Sequence, residues 1–261
     1  MENSHIKKIY FVIYKMVYHG VASKKYGLNF YFSPKCACTI TRQLWYKCHP
    51  EDIIQISKDW HEIEKDFPAP LNNAAGFLII RDPFDRAVSM YTGIVCSSDV
   101  TQEIRDFLGI GESRKISFID FCRYLVDRKR HNWENTNLHF LPQTYIPSQY
   151  HNVLRKDDFT NGNLHLIKCE QNIFHGIDEF YRQHLSPQQY TLIKNRITQF
   201  MMESHCNNST KHDNYATLPT DCTHIYMWGW KSYPSYDRFK NPTTIKLIKE
   251  AYDDDYSIFK Y

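Results

Sequence analysis

Several things are missing or scarce in this 261-residue chain, and each removes a class of answer. Eight cysteines stand at 36, 38, 48, 96, 122, 169, 206 and 222, without a paired set of C-x-x-C motifs. That argues against a zinc ribbon, and Cys36-x-Cys38 is too tight for ordinary metal spacing. No apolar run reaches the roughly 20 residues that span a bilayer. The best N-terminal candidate, Ile9 to Ala22, is broken by Lys15 and His19, and no clean cleavage site makes it a signal peptide. Charge of one sign is not in excess. A net +3 is too weak to imply nucleic acid, though it suits an anionic ligand. Glycine is scarce, with nine residues, and the Gly-Lys-Ser/Thr ending of nucleotide-triphosphatase loops is absent. The plain reading is a soluble, cytoplasmic chain made in a reducing compartment, or a fragment cut from a longer one. Cys122 and Cys169 lie in apolar patterns and read as buried thiols. Disulfides are not the expectation, and Cys206–Cys222 is the least implausible pair.

What is present is an alternation of apolar runs and helical patterns. Strands are predicted at Leu28–Phe32, Gly76–Ile80 and Leu164–Cys169. Gly76-Phe77-Leu78-Ile79-Ile80 is a continuous apolar run, the mark of a strand buried on both faces. Helices are predicted at Thr39–Lys47, from Pro83 to about Tyr91, after Ser117, at Ile173–His184, at Pro187–Met201 and from Pro242 to about Tyr252. Ser117 and Asp120 form a capping box, with Phe118, Phe121, Cys122 and Leu125 inward. Ile40, Leu44, Trp45 and Cys48 share one face of the first helix. The expected class is α/β, a P-loop-like three-layer fold with a mostly parallel sheet flanked by helices. Segments 97–116 and 204–240 read as long polar loops, candidates for the walls of a cleft.

Two strand–loop–helix turns carry the chemistry. The first is Ser33-Pro34-Lys35-Cys36-Ala37-Cys38-Thr39. Ligands of open α/β sheets bind beyond the carboxyl ends of strands, where helix N-termini offer free N–H groups and a positive dipole. Small residues let the backbone wrap an anion, Lys35 adds a mobile cation, and Thr39 and Thr41 add hydroxyls. The second is Phe77 to Tyr91, FLIIRDPFDRAVSMY. Arg81 stands at the strand end. Arg86 and Ser89, three apart, share a helix face, and Arg81 with Ser89 suits a terminal phosphate.

These turns resemble the two cofactor motifs of the sulfotransferases: a 5′-phosphosulfate loop, Pro-Lys-x-x-x-Thr, and a 3′-phosphate motif, Arg-Asp-Pro-Phe-x-Arg-x-x-Ser-x-Tyr. The resemblance is greatest to the carbohydrate branch, sulfotransferase family 2. Three further stretches are similar to that branch: TNLHFLPQ (136–143), with Phe140 where the branch has Trp, LIKCEQN (166–172) and YDDDYSIFKY (252–261). The resemblance implies a single domain over 1–261. It implies the donor 3′-phosphoadenosine 5′-phosphosulfate (PAPS), a hydroxyl-bearing acceptor, most often a glycan, and no metal. The donor site then comprises Ser33, Pro34, Lys35, Cys36, Ala37, Cys38, Thr39, Thr41, Arg81, Arg86 and Ser89. Eukaryotic carbohydrate-modifying relatives are usually anchored in the Golgi, so an anchorless fragment would belong to that lumen.

Sulfuryl transfer builds charge on the leaving oxygen, which Lys35 is placed to stabilise. The acceptor hydroxyl needs a base near neutrality. His61 lies 20 residues before Arg81, where several branches of the family place theirs, and His139 belongs to the His-x-x-Pro stretch; Glu62 and Glu64 are further candidates. Glu170 reads as structural. A P-loop kinase-type phosphotransferase would need Gly-Lys-Ser/Thr and a strand-end Asp for magnesium. A non-catalytic nucleotide- or glycan-binding relative is the remaining alternative.

Overall fold

The computed structural model describes residues 20–52, 70–96, 102–111, 114–145, 164–203 and 235–261. The chain divides into two compact units, Met1–Arg81 with Gln143–His205, and Asp82–Pro142 with Cys206–Tyr261.

The first unit holds one four-stranded sheet, in the order β1 (Gly20–Ser23), β2 (Leu28–Phe32), β3 (Ala75–Ile80), β4 (Leu164–Lys168). β1 pairs antiparallel with β2 through a turn in which Gly27 takes φ 65°, a conformation that costs glycine little. The pairs β2–β3 and β3–β4 are parallel, with Phe30 opposite Phe77 and Phe77 opposite His165. Aromatic and β-branched side chains suit these strands, and all five residues of β2 are buried. The exception in kind is Asn29, whose amide is satisfied: it donates to the Leu71 carbonyl and accepts from the Leu71 N–H, both at 2.8 Å.

Three helices, α1 (Cys38–Cys48), α5 (Ile173–His184) and α6 (Pro187–Glu203), join the sheet in one core. Phe30, Phe32, Phe77, Ile79 and Ile167 of the sheet meet Leu44, Trp45, Ile177, Phe180 and Ile197 there. On α1 the buried stripe is Thr41, Leu44, Trp45 and Cys48, with Ile40 only half-buried.

The second unit contains α2 (Pro83–Met90), a wider π turn (Tyr91–Val95), α3 (Gln102–Leu108), α4 (Phe118–Arg130), α7 (Pro242–Ala251) and α8 (Asp253–Phe259). Single 3-10 turns lie at Leu138–Phe140 and Tyr236–Phe239. The Ser117–Asp120 capping box is present, and Asn241 caps α7 in the same way through Thr244. Phe84, Tyr91, Phe118, Phe121, Phe140 and Phe239 form an edge-to-face aromatic core.

Four features depart from the sequence reading. β1 is an additional short edge strand. α3 lies inside a segment expected to be loop; its one buried residue is Ile104, too little to set a period. α7 is not the last helix, because α8 follows it, opening with three aspartates that suit the positive end of its dipole. Cys122 is buried as expected, whereas Cys169 is half-buried. Cys206–Cys222 lies outside the described residues.

The loop after α1 carries a buried imidazole. His49 closes the helix through its N–H to the Trp45 carbonyl and sits 2.7 Å from the Tyr181 hydroxyl through Nε2. The rings of Tyr26, Phe30, Trp45 and Tyr181 surround it. Burial lowers its pKa to about 3, with Glu51 opposing and Arg196 and Lys25 adding. The unfolded chain therefore takes up a proton here below about pH 6.5, and the folded chain does not until near pH 3. Stability from this group is complete above pH 6.5 and is lost as pH falls, by up to about 1.4 kcal/mol per pH unit. Burial alone would raise Glu51, but bonds from Lys25, Tyr26 and Arg196 bring it down to about 2, so its own loss begins only below about pH 4.5. Urea unfolding between pH 6.5 and 4.5 should thus show wild type losing stability faster than His49→Gln. Parallel curves for the two proteins would remove the buried neutral imidazole from the account.

Candidate active site

The loop between β2 and α1 has an unusual backbone. Lys35 and Ala37 take φ 65° and 53°, and Cys36 between them does not enter the left-handed region. Neither residue is glycine, so each conformation costs about 1–3 kcal/mol. Left-handed residues alternating with ordinary ones turn successive N–H groups toward one concavity, an anion-binding nest. The Cys36 N–H returns to the Ser33 carbonyl at 3.1 Å, which tightens the turn. α1 then starts with Ala37 at its N-cap, with no side-chain cap and no acid in its first turn. Its first N–H groups and dipole carry positive potential that no local carboxylate quenches.

Three side chains complete this picture. Ser33 is fully buried, and its Oγ has no hydrogen-bond partner among the described residues, an omission that costs about 1–3 kcal/mol. Lys35 is half-buried. Burial pulls its ammonium below the ordinary lysine value, Cys38 opposes this, and the Arg81 guanidinium adds to it. An anion in the loop would favour the charged ammonium again. Pro34 and Cys36 are buried, Cys38 is half-buried and Thr39 is exposed. Thr41 is buried, and its hydroxyl donates back to the Ala37 carbonyl at 3.2 Å, so its proton is committed to the helix.

The loop is tied to the end of β3 by a closed set of bonds. Arg81 Nη1 donates to the Lys35 carbonyl at 3.3 Å. Gln143, with no exposed surface, grips the Arg81 backbone twice: Oε1 accepts from the Arg81 N–H and Nε2 donates to the Arg81 carbonyl, both at 2.8 Å. The same Oε1 accepts from the Cys36 thiol at 3.0 Å. Gln143 closes the TNLHFLPQ stretch, and nothing in the sequence marks this role. Nearby, burial pushes the Cys169 thiol up to about 12 against the pull of Arg81, which makes it unreactive at neutral pH.

The second motif behaves differently. The N-terminus of α2 is capped internally: the Asp82 carboxylate accepts from the N–H groups of Phe84 (2.8 Å) and Asp85 (3.1 Å). An anion meeting this motif would therefore rely on side chains. Ser89 is half-buried on α2. Arg86 lies deeper on the same helix. It has no exposed surface, its Nη2 donates to the His139 carbonyl at 3.2 Å, and its guanidinium lies over the Tyr252 ring.

Of the base candidates, His61, Glu62 and Glu64 lie outside the described residues. His139 stands in the Leu138–Phe140 turn, half-buried. Asn137 Oδ1 accepts from the His139 N–H at 3.0 Å and lies 2.9 Å from its Nδ1. An oxygen that already accepts from a backbone N–H is matched by a protonated Nδ1, which puts the imidazole lone pair on Nε2. Asn137 thus orients the ring. Glu170 is exposed in the turn after β4. Among the described residues no group of three His, Cys, Asp or Glu is arranged to hold a metal, and no helix is long and apolar enough to cross a membrane.

Gln143→Leu should leave the Arg81 N–H and carbonyl without their buried partner and lower stability by about 2–4 kcal/mol. Cys36→Ala, which removes only a weak thiol bond, should cost clearly less. Urea unfolding of both variants checks this; equal small losses would mean that the clasp contributes little.

Nothing among curated proteins or solved structures matches the chain. A family model does, that of the sulfotransferase family, over residues 18–261. That span takes in the nest loop, the Arg81 strand end, the His139 turn and both C-terminal helices, and it makes this chain a member of the sulfotransferase family.

Proposed function

We propose that the chain, as one catalytic domain over 1–261, moves a sulfuryl group from PAPS to a hydroxyl of a carbohydrate acceptor. The observation that carries this reading is the loop at 33–37. A strained nest of N–H groups, a helix start without a side-chain cap, a buried Ser33 hydroxyl with no partner among the described residues and a half-buried lysine suit a bound phosphosulfate. The 5′-phosphosulfate belongs to this loop, from Ser33 to Thr39. Arg81 takes the 3′-phosphate, and Ser89 enters on the sequence motif alone. Asp82 closes the cap of α2, which weighs against a magnesium-dependent kinase that would need this carboxylate.

In the reaction the acceptor oxygen forms a bond to sulfur as the bond from sulfur to the bridging phosphate oxygen breaks. Both electrons of that bond leave with the phosphate, giving 3′-phosphoadenosine 5′-phosphate (PAP). Lys35 meets the growing negative charge on that oxygen, and the ammonium acts most strongly where charge is greatest, in the transition state. The acceptor proton passes to His139 Nε2, the nitrogen that the Asn137 contact leaves as acceptor. Burial of Lys35 strengthens its effect, because charges interact more strongly away from water.

Labelled sulfate transfer from PAPS to a panel of glycans tests the activity, and Lys35→Ala tests the mechanism. The variant should lose on the order of 100-fold or more in kcat, while PAP affinity falls much less because the loop N–H groups remain. Lys35→Arg should rescue poorly, since a planar fork does not replace a compact ammonium. Near-normal turnover of Lys35→Ala, or PAP affinity falling as far as kcat, would contradict the assigned role. Binding of PAP without transfer to any acceptor would favour a non-catalytic relative.

A further inference from the structure

The C-terminal stretch beginning at Tyr252 has no part in the reaction as described, yet Tyr252 lies behind the His139 turn. Its hydroxyl donates to the Phe140 carbonyl at 2.7 Å, while Arg86 Nη2 donates to the neighbouring His139 carbonyl at 3.2 Å. Two consecutive carbonyls of one 3-10 turn are thus each held by a side chain from a different helix region. The two donors also hold each other, because the Arg86 guanidinium lies 5.8 Å from the Tyr252 ring centroid. That ring also stacks on Trp133, at 5.4 Å and 9°. Neither Arg86 nor Tyr252 has exposed surface. Burial raises the Tyr252 hydroxyl far above neutrality, with Arg86 opposing, so it remains a donor at any working pH.

His139 is held from two ends. Asn137 fixes the imidazole from the side-chain end, and Arg86 with Tyr252 fixes the backbone that carries it. A turn of three residues has little hydrogen bonding of its own, and the ring it carries moves with its carbonyls. We infer that Arg86 and Tyr252 are positioning residues for His139, and that the C-terminal segment serves the reaction by holding the base. The inference rests on the reading of His139 as the base. It also gives Arg86 a role other than the nucleotide contact that the sequence motif suggests.

Tyr252→Phe is the test, because it keeps the ring that contacts Arg86 and Trp133 and removes only the hydroxyl. Misplacing a catalytic group by a fraction of an ångström to an ångström costs up to about 100-fold. The variant should lose about 10- to 100-fold in kcat with KM for PAPS nearly unchanged. Nitrogen-15 NMR of the ligand-free protein should show His139 passing from a single Nδ1–H tautomer to a mixture. Thr244→Val is the control: it removes another buried hydroxyl-to-carbonyl bond, to Phe239, and should reduce stability while leaving kcat and tautomer alone. If Tyr252→Phe does not fold, Arg86→Lys carries the same readouts, since an ammonium cannot reproduce both the ring contact and the bond. Wild-type kcat and tautomer in the folded variant overturn the inference. His139→Ala with normal turnover overturns the base assignment instead, so the two failures are separable.

Discussion

The clasp of Gln143 on Arg81 is the interaction on which the first unit's functional end depends. A side-chain amide supplies one acceptor and one donor to a single residue's backbone, as a neighbouring strand would. β3 ends at Ile80, and the clasp continues the bonding of the next residue's N–H and carbonyl beyond the sheet. Because the same Oε1 also receives the Cys36 thiol, the position of the strand end and that of the nest loop are set by one buried group. Arg81 completes the set from its own side chain by reaching the Lys35 carbonyl. The cation assigned to one end of a nucleotide is thereby fixed to the loop assigned to the other.

Such fixing is what a strained loop requires. Two non-glycine residues in the left-handed region, a serine hydroxyl with no partner among the described residues and a half-buried ammonium all raise the energy of the ligand-free loop. An anion in the loop would satisfy the hydroxyl and the ammonium, while the left-handed backbone would stay as it is. The core beneath, from Phe30 to Phe200, supplies the burial that makes the strain tolerable. The resulting donors are preorganised: N–H groups need not be gathered when charge develops.

Much of this was legible in the sequence because the local signals agree. β2 was given residue for residue, and α5 likewise. Pro83, Ser117 and Asn241 mark three helix starts through their own chemistry. The Pro-Lys loop and the Arg81 strand end were visible as residue types after apolar runs. Gln143 was not, since a clasp between residues 62 apart leaves no periodic trace. The nest was hidden for a different reason: Lys35 and Ala37 adopt conformations that glycine usually signals. Helical spacing put Arg86 and Ser89 on a common face, but spacing cannot say how deeply each lies, and Arg86 is fully buried where Ser89 is not. For His139 the sequence shows the imidazole but not the Asn137 contact that orients it.

The proposed reaction depends on recognition of a 3′-phosphorylated adenosine nucleotide by these loops. Calorimetric titration with PAP and with adenosine 5′-phosphate, which lacks only the 3′-phosphate, addresses it most directly. With EDTA present, PAP should bind more tightly by roughly 10- to 150-fold, the weight of about 1.5–3 kcal/mol for a charge-assisted contact, and Arg81→Ala should erase most of that margin. Equal affinity for the two nucleotides, or tight binding of ATP that appears only with magnesium, would contradict the account.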